Sequence, residues 1–539
     1  MSSAVADGPR DDGPAPSVVA GPPPPLQGMK LLLGSVALSS ATFMNVLDTS
    51  IANVSIPAIS GALGVAPNQG TWVITSFAVA SGIALPMTGW LAQRFGAVRL
   101  FTTSVLLFTL VSWLCGLATS INQLILLRIL QGAVAGPMVP LSQALMLGSY
   151  PREKSGTALA IWTMTSLVGP VAGPVLGGLI TDNIHWAWIF YINVPVGLLA
   201  AAATWWLYRD RESPTRRLPV DVVGLVLLVV WIGAFQIMLD KGKELDWFES
   251  RQIITLAIVA VVGFAAFLIW ELTDDHPVVD LSLFRNRNFA VATVTISVGY
   301  SAFFGNLVLL PAWLQQHMGY TPTMAGLAMA PVGLLALVVT PWVGKNINRV
   351  DARLFATLGF SIFAFVLWQR ALFNTDADFD TILVPTLIQG AAIGFFFIPL
   401  FNLALSGIPV EKTASASGML NFMRITAGAF GASLATTLWD DRASMHHAYL
   451  AEHISTTNAA AWRALSALGQ GVVQRAEALA LINRAIDNQA FMLAAADIFR
   501  GSALLFMALM LIVWHARPPR AAAGTAAASA AAADGGGAH

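Results

Sequence analysis

Residues 131–158 read QGAVAGPMVPLSQALMLGSYPREKSGTA, and residues 389–416 read QGAAIGFFFIPLFNLALSGIPVEKTASA. Gln131/Gln389, Gly132/Gly390, Gly136/Gly394, Pro151/Pro409, Glu153/Glu411, Lys154/Lys412 and Ala158/Ala416 all match at one spacing (389 − 131 = 258). Residues 85–101, LPMTGWLAQRFGAVRLF, find a second partner in residues 340–355, TPWVGKNINRVDARLF, with one residue deleted. Both copies are written mainly in apolar residues. Two tandem copies of a multi-helix membrane unit, with a binding site between them, are the signature of a solute transporter.

Composition points the same way. Of 539 residues, 56% are hydrophobic and only 11% charged, where a soluble chain carries about 25% charged residues. The net charge is zero, so nothing marks a nucleic-acid surface. The single cysteine, Cys115, rules out an intrachain disulfide and reads as a small core residue. No GxxxxGK[ST] loop is present, so ATP is not read as the energy source, and no cofactor is expected. No serine elbow, HExxH or other nucleophile–base set is visible, which argues against an enzyme. His446, His447 and His453 fit no tight metal template, and no metal is expected.

Hydropathy places fourteen spans, near residues 31–56, 71–92, 99–119, 122–146, 156–180, 187–208, 219–239, 252–271, 289–314, 323–347, 353–373, 380–405, 413–438 and 490–515. The turns at 57–70, 120–121, 181–186 and 315–322 hold no Lys or Arg, whereas the alternate turns hold Arg94 and Arg99, Arg152 and Lys154, Arg209, Arg211, Arg216 and Arg217, Arg285 and Arg287, Lys345, Arg349 and Arg353, and Lys412; the exception is 240–251, where Lys241, Lys243 and Arg251 are offset by acids. That alternation sets both termini in the cytoplasm. Residues 1–29 read as a disordered tail, 30–210 as an N-terminal six-helix bundle and 211–275 as two inserted transmembrane helices without a partner in the duplication. Residues 276–516 read as a C-terminal six-helix bundle, and 517–539 as a second disordered tail. Segment 440–488 is the one long hydrophilic stretch, expected to be amphipathic helix outside the bilayer, on the periplasmic side. The fold class is thus an all-α membrane protein.

Four motifs narrow this. Residues 47–57 read LDTSIANVSIP, 89–101 GWLAQRFGAVRLF, 127–143 LRILQGAVAGPMVPLSQ and 169–178 GPVAGPVLGG. Together with the duplication they resemble the major facilitator superfamily, and within it the EmrB/QacA group of 14-span drug:proton antiporters. The resemblance covers nearly the whole chain outside its tails. It implies the major facilitator fold, with two six-helix bundles plus two inserted helices, in a bacterial inner membrane. It also implies proton-coupled efflux of hydrophobic or amphipathic small molecules. For EmrB-like members it further implies a periplasmic adaptor (EmrA-like) and an outer-membrane TolC-like channel. Export of a specific metabolite or fatty acid, and a non-cycling receptor or scaffold, stand as alternatives.

The residues themselves carry a chemistry. Asp48 falls near the middle of the first span, where an ionised carboxylate is costly and an acid is a functional candidate. Burial disfavours its charged form, which lets it exchange a proton; the plainer alternative is a neutral acid satisfying backbone. Arg128 falls at similar depth in the fourth span. It cannot lose its proton, so it can only modulate a partner, as a coupling element or as a static neutralising pair. Its duplicate position is Thr386, so this charge is expected in one half only. Arg424 is a third charge within a span, a candidate for cargo contact. Gln131, Gln143, Gln389, Asn402 and Asn421 are uncharged polar residues at membrane depth and candidates for a central cavity. Phe395, Phe396 and Phe397 are expected to face lipid rather than cargo. Gly169, Gly173 and Gly177 repeat every fourth residue and admit a close helix neighbour, while Pro170 and Pro174 favour a bend; with Gly178 they form the motif that in the family accompanies antiport at the interface of the halves. Gly89, Arg94, Gly96 and Arg99 form the cytoplasmic turn, where the arginines can hold an inward gate shut. The family's usual acid in that turn is Gln93 here.

Overall fold

Long apolar runs in a membrane must satisfy every backbone polar group internally, and helices do so. The computed structural model describes residues 24–216, 219–274, 277–452, 454 and 475–517, and among these only helices and turns occur. Both predicted tails fall largely outside the described residues. The first half comprises α1 (Gly28–Leu63), α2 (Trp72–Ala84), α3 (Thr88–Phe95), α4 (Ala97–Gly116), α5 (Ile121–Ala135), α6 (Met138–Ser149), α7 (Ser155–Asn183) and α8 (Asn193–Tyr208). Then come α9 (Val222–Lys241) and α10 (Arg251–Thr273). The second half comprises α11 (Arg287–His317), α12 (Pro322–Met329), α13 (Pro331–Asn346), α14 (Ala352–Arg370), α15 (Phe379–Leu405), α16 (Thr413–Glu452) and α17 (Arg475–Val513).

Among the described residues, eleven helical segments are long and apolar enough to span a bilayer, and the pair α2–α3, bent by 61°, makes a twelfth. α7 and α16, with 29 and 40 residues, complete a fourteen-span arrangement. Local signals set the boundaries. Ser120, Asp221, Thr321 and Asp378 each accept a backbone N–H at a helix start, which removes an orphan donor. Gly96, at φ 91°, makes the reversal between α3 and α4, a backbone that only glycine adopts without strain.

α1 packs on α7 and α8, α2 on α5, and α4 on α5 and α8. In the second half α11 packs on α16 and α17, and α15 on α13 and α14. The halves meet where α7 touches α13 and α15, and where α16 touches α3 and α6. These junctions cluster toward the face that carries residues 26 and 516, near the two ends of the described residues, where Leu26 bonds to Ser149 and Arg353 to the Ala516 carbonyl; we call it the terminal face. There the Gly156 and Gly344 backbones touch, since a Cβ built on either lies 2.1 or 2.5 Å from the other's carbonyl oxygen. Gly89 meets Ser415 in the same manner. Asn348 donates to the Glu153 carbonyl at 2.8 Å, and the rings of Trp162 and Phe401 meet edge to face at 5.3 Å. The two halves are closed on each other at this end.

The inserted pair α9–α10 does more than lie beside the bundles. Its turn at the opposite face ties to both halves. Asp240 accepts from Thr75 and Lys241 donates to Thr71 in the first half. Lys243 pairs with Asp440 at 2.7 Å, and Trp247 donates to Thr437 at 2.9 Å, in the second.

Two expectations are corrected. Phe395, Phe396 and Phe397 do not face lipid; they are buried in an aromatic cluster with Trp342, Tyr300, Phe303 and Phe363. The described residues of segment 440–488 are not a separate amphipathic helix. They are continuations of α16 and α17, held together by Trp439 on the Phe491 carbonyl and by His446 on Asp497 at 2.9 Å. Forty residues make a helix of about 60 Å, roughly twice the hydrocarbon thickness, so α16 projects well beyond the bilayer. His453 and residues 455–474 lie outside the described residues.

Candidate functional site

Asp48 and Arg128 meet inside the first half. Arg128 Nη1 lies 2.6 Å from Asp48 Oδ2, with the carboxylate 2% and the guanidinium 0% exposed. α1 carries the acid and α5 the base. Arg128 Nε donates to the Val73 carbonyl of α2 at 3.0 Å, and Nη1 also to Gln131 Oε1 at 2.7 Å. The guanidinium lies 4.2 Å from the centroid of the Phe77 ring, a favourable seat for a desolvated cation. The other carboxylate oxygen accepts from Gln131 Nε2 at 3.3 Å and from Asn193 Nδ2 at 2.9 Å. Asn193 in turn reaches Ser112 Oγ at 3.0 Å, and Ser112 donates to the Phe190 carbonyl. Every group facing the carboxylate is a donor, a pattern that suits the anion.

Asn193 is absent from the sequence reading. It begins α8, one turn after the aromatic run Trp188–Tyr191, and nothing in its neighbours marks it. The available signal was a lone amide in an apolar span. Asn193→Leu is expected to lower stability by about 1–3 kcal/mol, the cost of an unsatisfied buried group, seen as a fall in melting temperature in detergent. Asn193→Asp is expected to be worse, because two carboxylates then share one site.

A second polar chain crosses between the halves. Asn421 Nδ2, on α16, donates to Gln143 Oε1, on α6, at 3.1 Å. Arg424 Nη2 donates to Asn421 Oδ1 at 3.0 Å and lies 4.7 Å from the Tyr300 ring centroid. Its Nε has no partner and no carboxylate pairs with it among the described residues.

Gln131 and Gln389 do not line a chamber between the halves. Each is buried inside its own half, where its side-chain oxygen binds an arginine. Gln389 Oε1 accepts from Arg370 Nη2 at 2.7 Å, and Thr386 Oγ1 accepts from the same atom at 3.1 Å. The expectation of a charge in one half only is therefore overturned: Thr386 replaces Arg128 in the repeat, but Arg370 brings a guanidinium to it from α14. Asn402 is half-buried near the terminal face and joins neither chain.

Gly169, Gly173 and Gly177 face α1, with built Cβ positions 2.6 Å from Val46, 2.3 Å from Ser50 and 3.3 Å from Ile51. They pack the first half and do not face the second; α7 meets the other half through Gly156 and Trp162 instead. Gly178 faces open space. The side chains of Pro170 and Pro174 lie outside the described ones, and the helix runs unbroken through both.

At the α3–α4 turn, Arg94 lies 5.3 Å from the Trp90 ring centroid. Glu212 caps α4, accepting the Val98 and Arg99 amides at 2.9 Å, with Arg99 Nε 3.9 Å away. Gly96 is required there, since a Cβ would lie 2.5 Å from the Glu212 carboxyl. The acid absent at Gln93 is thus supplied from the segment after α8. Elsewhere on the terminal face, burial raises the Asp280 carboxyl, but Lys412 at 2.7 Å and the hydroxyl and amide of Ser282 together outweigh it and hold the group below the ordinary range. Arg353 does the same to Asp351 at 2.6 Å.

Comparisons with known proteins agree with this architecture. Residues 38–432 match the family model described as Major Facilitator Superfamily. The chain is 49% identical over 497 residues to Multidrug export protein EmrB of Haemophilus influenzae, covering 92% of this chain and 98% of that protein. It is also 49% identical to the Escherichia coli K12 protein of the same name, over 92% and 97%. It is 46% identical over 496 residues to Fatty acid resistance protein FarB of Neisseria gonorrhoeae, over 92% and 98%. Among solved structures, the human organic anion transporter MFSD10 superposes with a TM-score of 0.56 at 12% identity, covering 90% of this chain and 100% of that one; that likeness is one of fold.

Proposed function

Because the chain belongs to the major facilitator superfamily and to its family of EmrB multidrug exporters, we propose that it exports lipophilic small molecules in exchange for protons, with Asp48 as the proton carrier. The observation that carries this is the carboxylate–guanidinium pair sealed within one rocking half. A protein keeps two charges at membrane depth only where they serve a purpose. In this reading a proton arriving at Asp48 removes the negative charge that Arg128, Gln131 and Asn193 hold. Arg128 then shifts toward Gln131 and the Val73 carbonyl, and α1 is freed to move against α5. The coupling is a difference in binding between two arrangements of the halves, and each ligand biases the one it prefers.

The closed terminal face is cytoplasmic in this proposal, so the described conformation is the one that has shut the inner gate. Gln143, Asn421 and Arg424 lie just beneath that gate, where a cargo entering from the cytoplasm meets them once the halves part. Projection of α16 and α17 from the opposite face supports docking of a periplasmic EmrA-like adaptor that continues to a TolC-like channel. The name of the FarB relative supports a second reading of the cargo as fatty acids, for which the unpaired Arg424 guanidinium is a fitting contact.

The test uses the full-length chain in inside-out vesicles. Adding lipophilic cargo to energised vesicles is expected to release protons from the lumen, read with a pH-sensitive dye. Cargo movement with no proton flux, or neither, removes the antiport reading.

A further inference from the structure

We infer that the second half contains a binding site for a monovalent anion at Arg370. Arg370 is 1% exposed, yet its two recorded hydrogen bonds go to neutral groups, Thr386 and Gln389. No carboxylate pairs with it among the described residues, and its Nε, though buried, has no partner. A guanidinium taken out of water without a counter-charge is strongly unfavourable.

The internal repeat shows what is missing. In the first half, Gln131 shares Arg128 with the Asp48 carboxylate. In the second half, the equivalent glutamine, Gln389, holds Arg370. The shift that matches Phe101 with Phe355 (355 − 101 = 254) places Arg370 at Gly116, beside Cys115, whose Sγ lies 3.6 Å from Gln131 Oε1. The same shift matches Pro57 with Pro311 and sets Ala302 at the place of Asp48. The second half therefore keeps the glutamine, takes its cation from a different helix and carries no acid at the place of Asp48.

A second donor marks the same corner. Trp313 Nε1 is buried and also has no partner. Its ring stacks on Phe373 with centroids 6.2 Å apart, and the Phe373 amide bonds to the Arg370 carbonyl at 3.1 Å. Two orphan N–H donors, linked through Phe373, and one uncompensated positive charge call for an acceptor with a single negative charge. A halide and the carboxylate of an organic acid share that chemistry. The inference stands apart from proton coupling, since it concerns the other half.

The experiment is a thermal melt of the purified full-length protein in detergent, at fixed ionic strength, titrating chloride or benzoate against sulfate, whose double charge the site does not match. Anything that binds the folded state raises Tm as its concentration passes Kd. A rise with chloride in the wild type that is absent in Arg370→Gln assigns an inorganic anion; a rise with benzoate alone assigns a carboxylate. Should Arg370→Gln not survive purification, Trp313→Phe keeps the charge and removes the second unpartnered donor. It is expected to weaken the midpoint about fivefold, the weight of one hydrogen bond. A wild-type Tm indifferent to both anions, or a response unchanged in all variants, overturns the site.

Discussion

Arg128→Leu is expected to abolish transport and to destabilise the folded protein by about 3–5 kcal/mol, the cost of stranding a buried charge whose partner is gone. The stranded group is Asp48, which would keep only Asn193 at 2.9 Å and Gln131 at 3.3 Å. The expected signs are a large fall in the folded fraction after detergent extraction and no proton-driven cargo flux. The double variant Asp48→Asn with Arg128→Leu separates stability from coupling. Replacing both charges of a buried pair by neutral groups is often neutral or stabilising. Folded protein should therefore return while transport should not. A double variant that transports normally makes the pair a static brace.

Gly344→Leu is expected to shift the conformational balance toward opening at the terminal face. The Gly344 Cβ position lies 2.5 Å from the Gly156 carbonyl oxygen and 2.7 Å from Ala160 Cβ. One obstacle is backbone and cannot rotate away, so only separation of α13 from α7 relieves the clash. Overpacking costs about 1–3 kcal/mol, which shifts a two-state population by roughly 5- to 150-fold. Cys115 is the sole native cysteine and is buried, so a reporter thiol is clean to introduce. Ala160→Cys, at a position 2% exposed, should react faster with a maleimide in the Gly344→Leu background. Unchanged labelling contradicts the assignment of this junction as a gate.

The parts that were legible in the sequence are those with a periodic or repeated origin. The duplication announced two bundles, and the unmatched residues 219–271 announced the inserted pair. Asp48 and Arg128 stood out because charge is rare in such a chain. What escaped was set by how helices face one another. Arg370 sits at the end of α14 and is absent from the sequence reading; only packing turns it inward onto Gln389. Asn193 has no charge, and its role depends on α8 lying beside α1. Phe395, Phe396 and Phe397 are three consecutive residues, so no single face can hold them all, and the burial of α15 on every side over residues 392–401 decided their place. Gln131 and Gln389 drew notice through the repeat and were expected at a cavity, but hydropathy cannot tell a cavity wall from a bundle interior.

Proton exchange by Asp48 is most directly tested with Asp48→Asn in inside-out vesicles, reading cargo and proton fluxes together. The neutral amide has nearly the shape of the protonated acid and can still accept from Arg128. The variant is expected to insert and fold, and to exchange cargo down its own gradient. It is expected to show no proton release on cargo addition and no accumulation against a gradient. Gradient-driven uptake at the wild-type rate in Asp48→Asn contradicts the account.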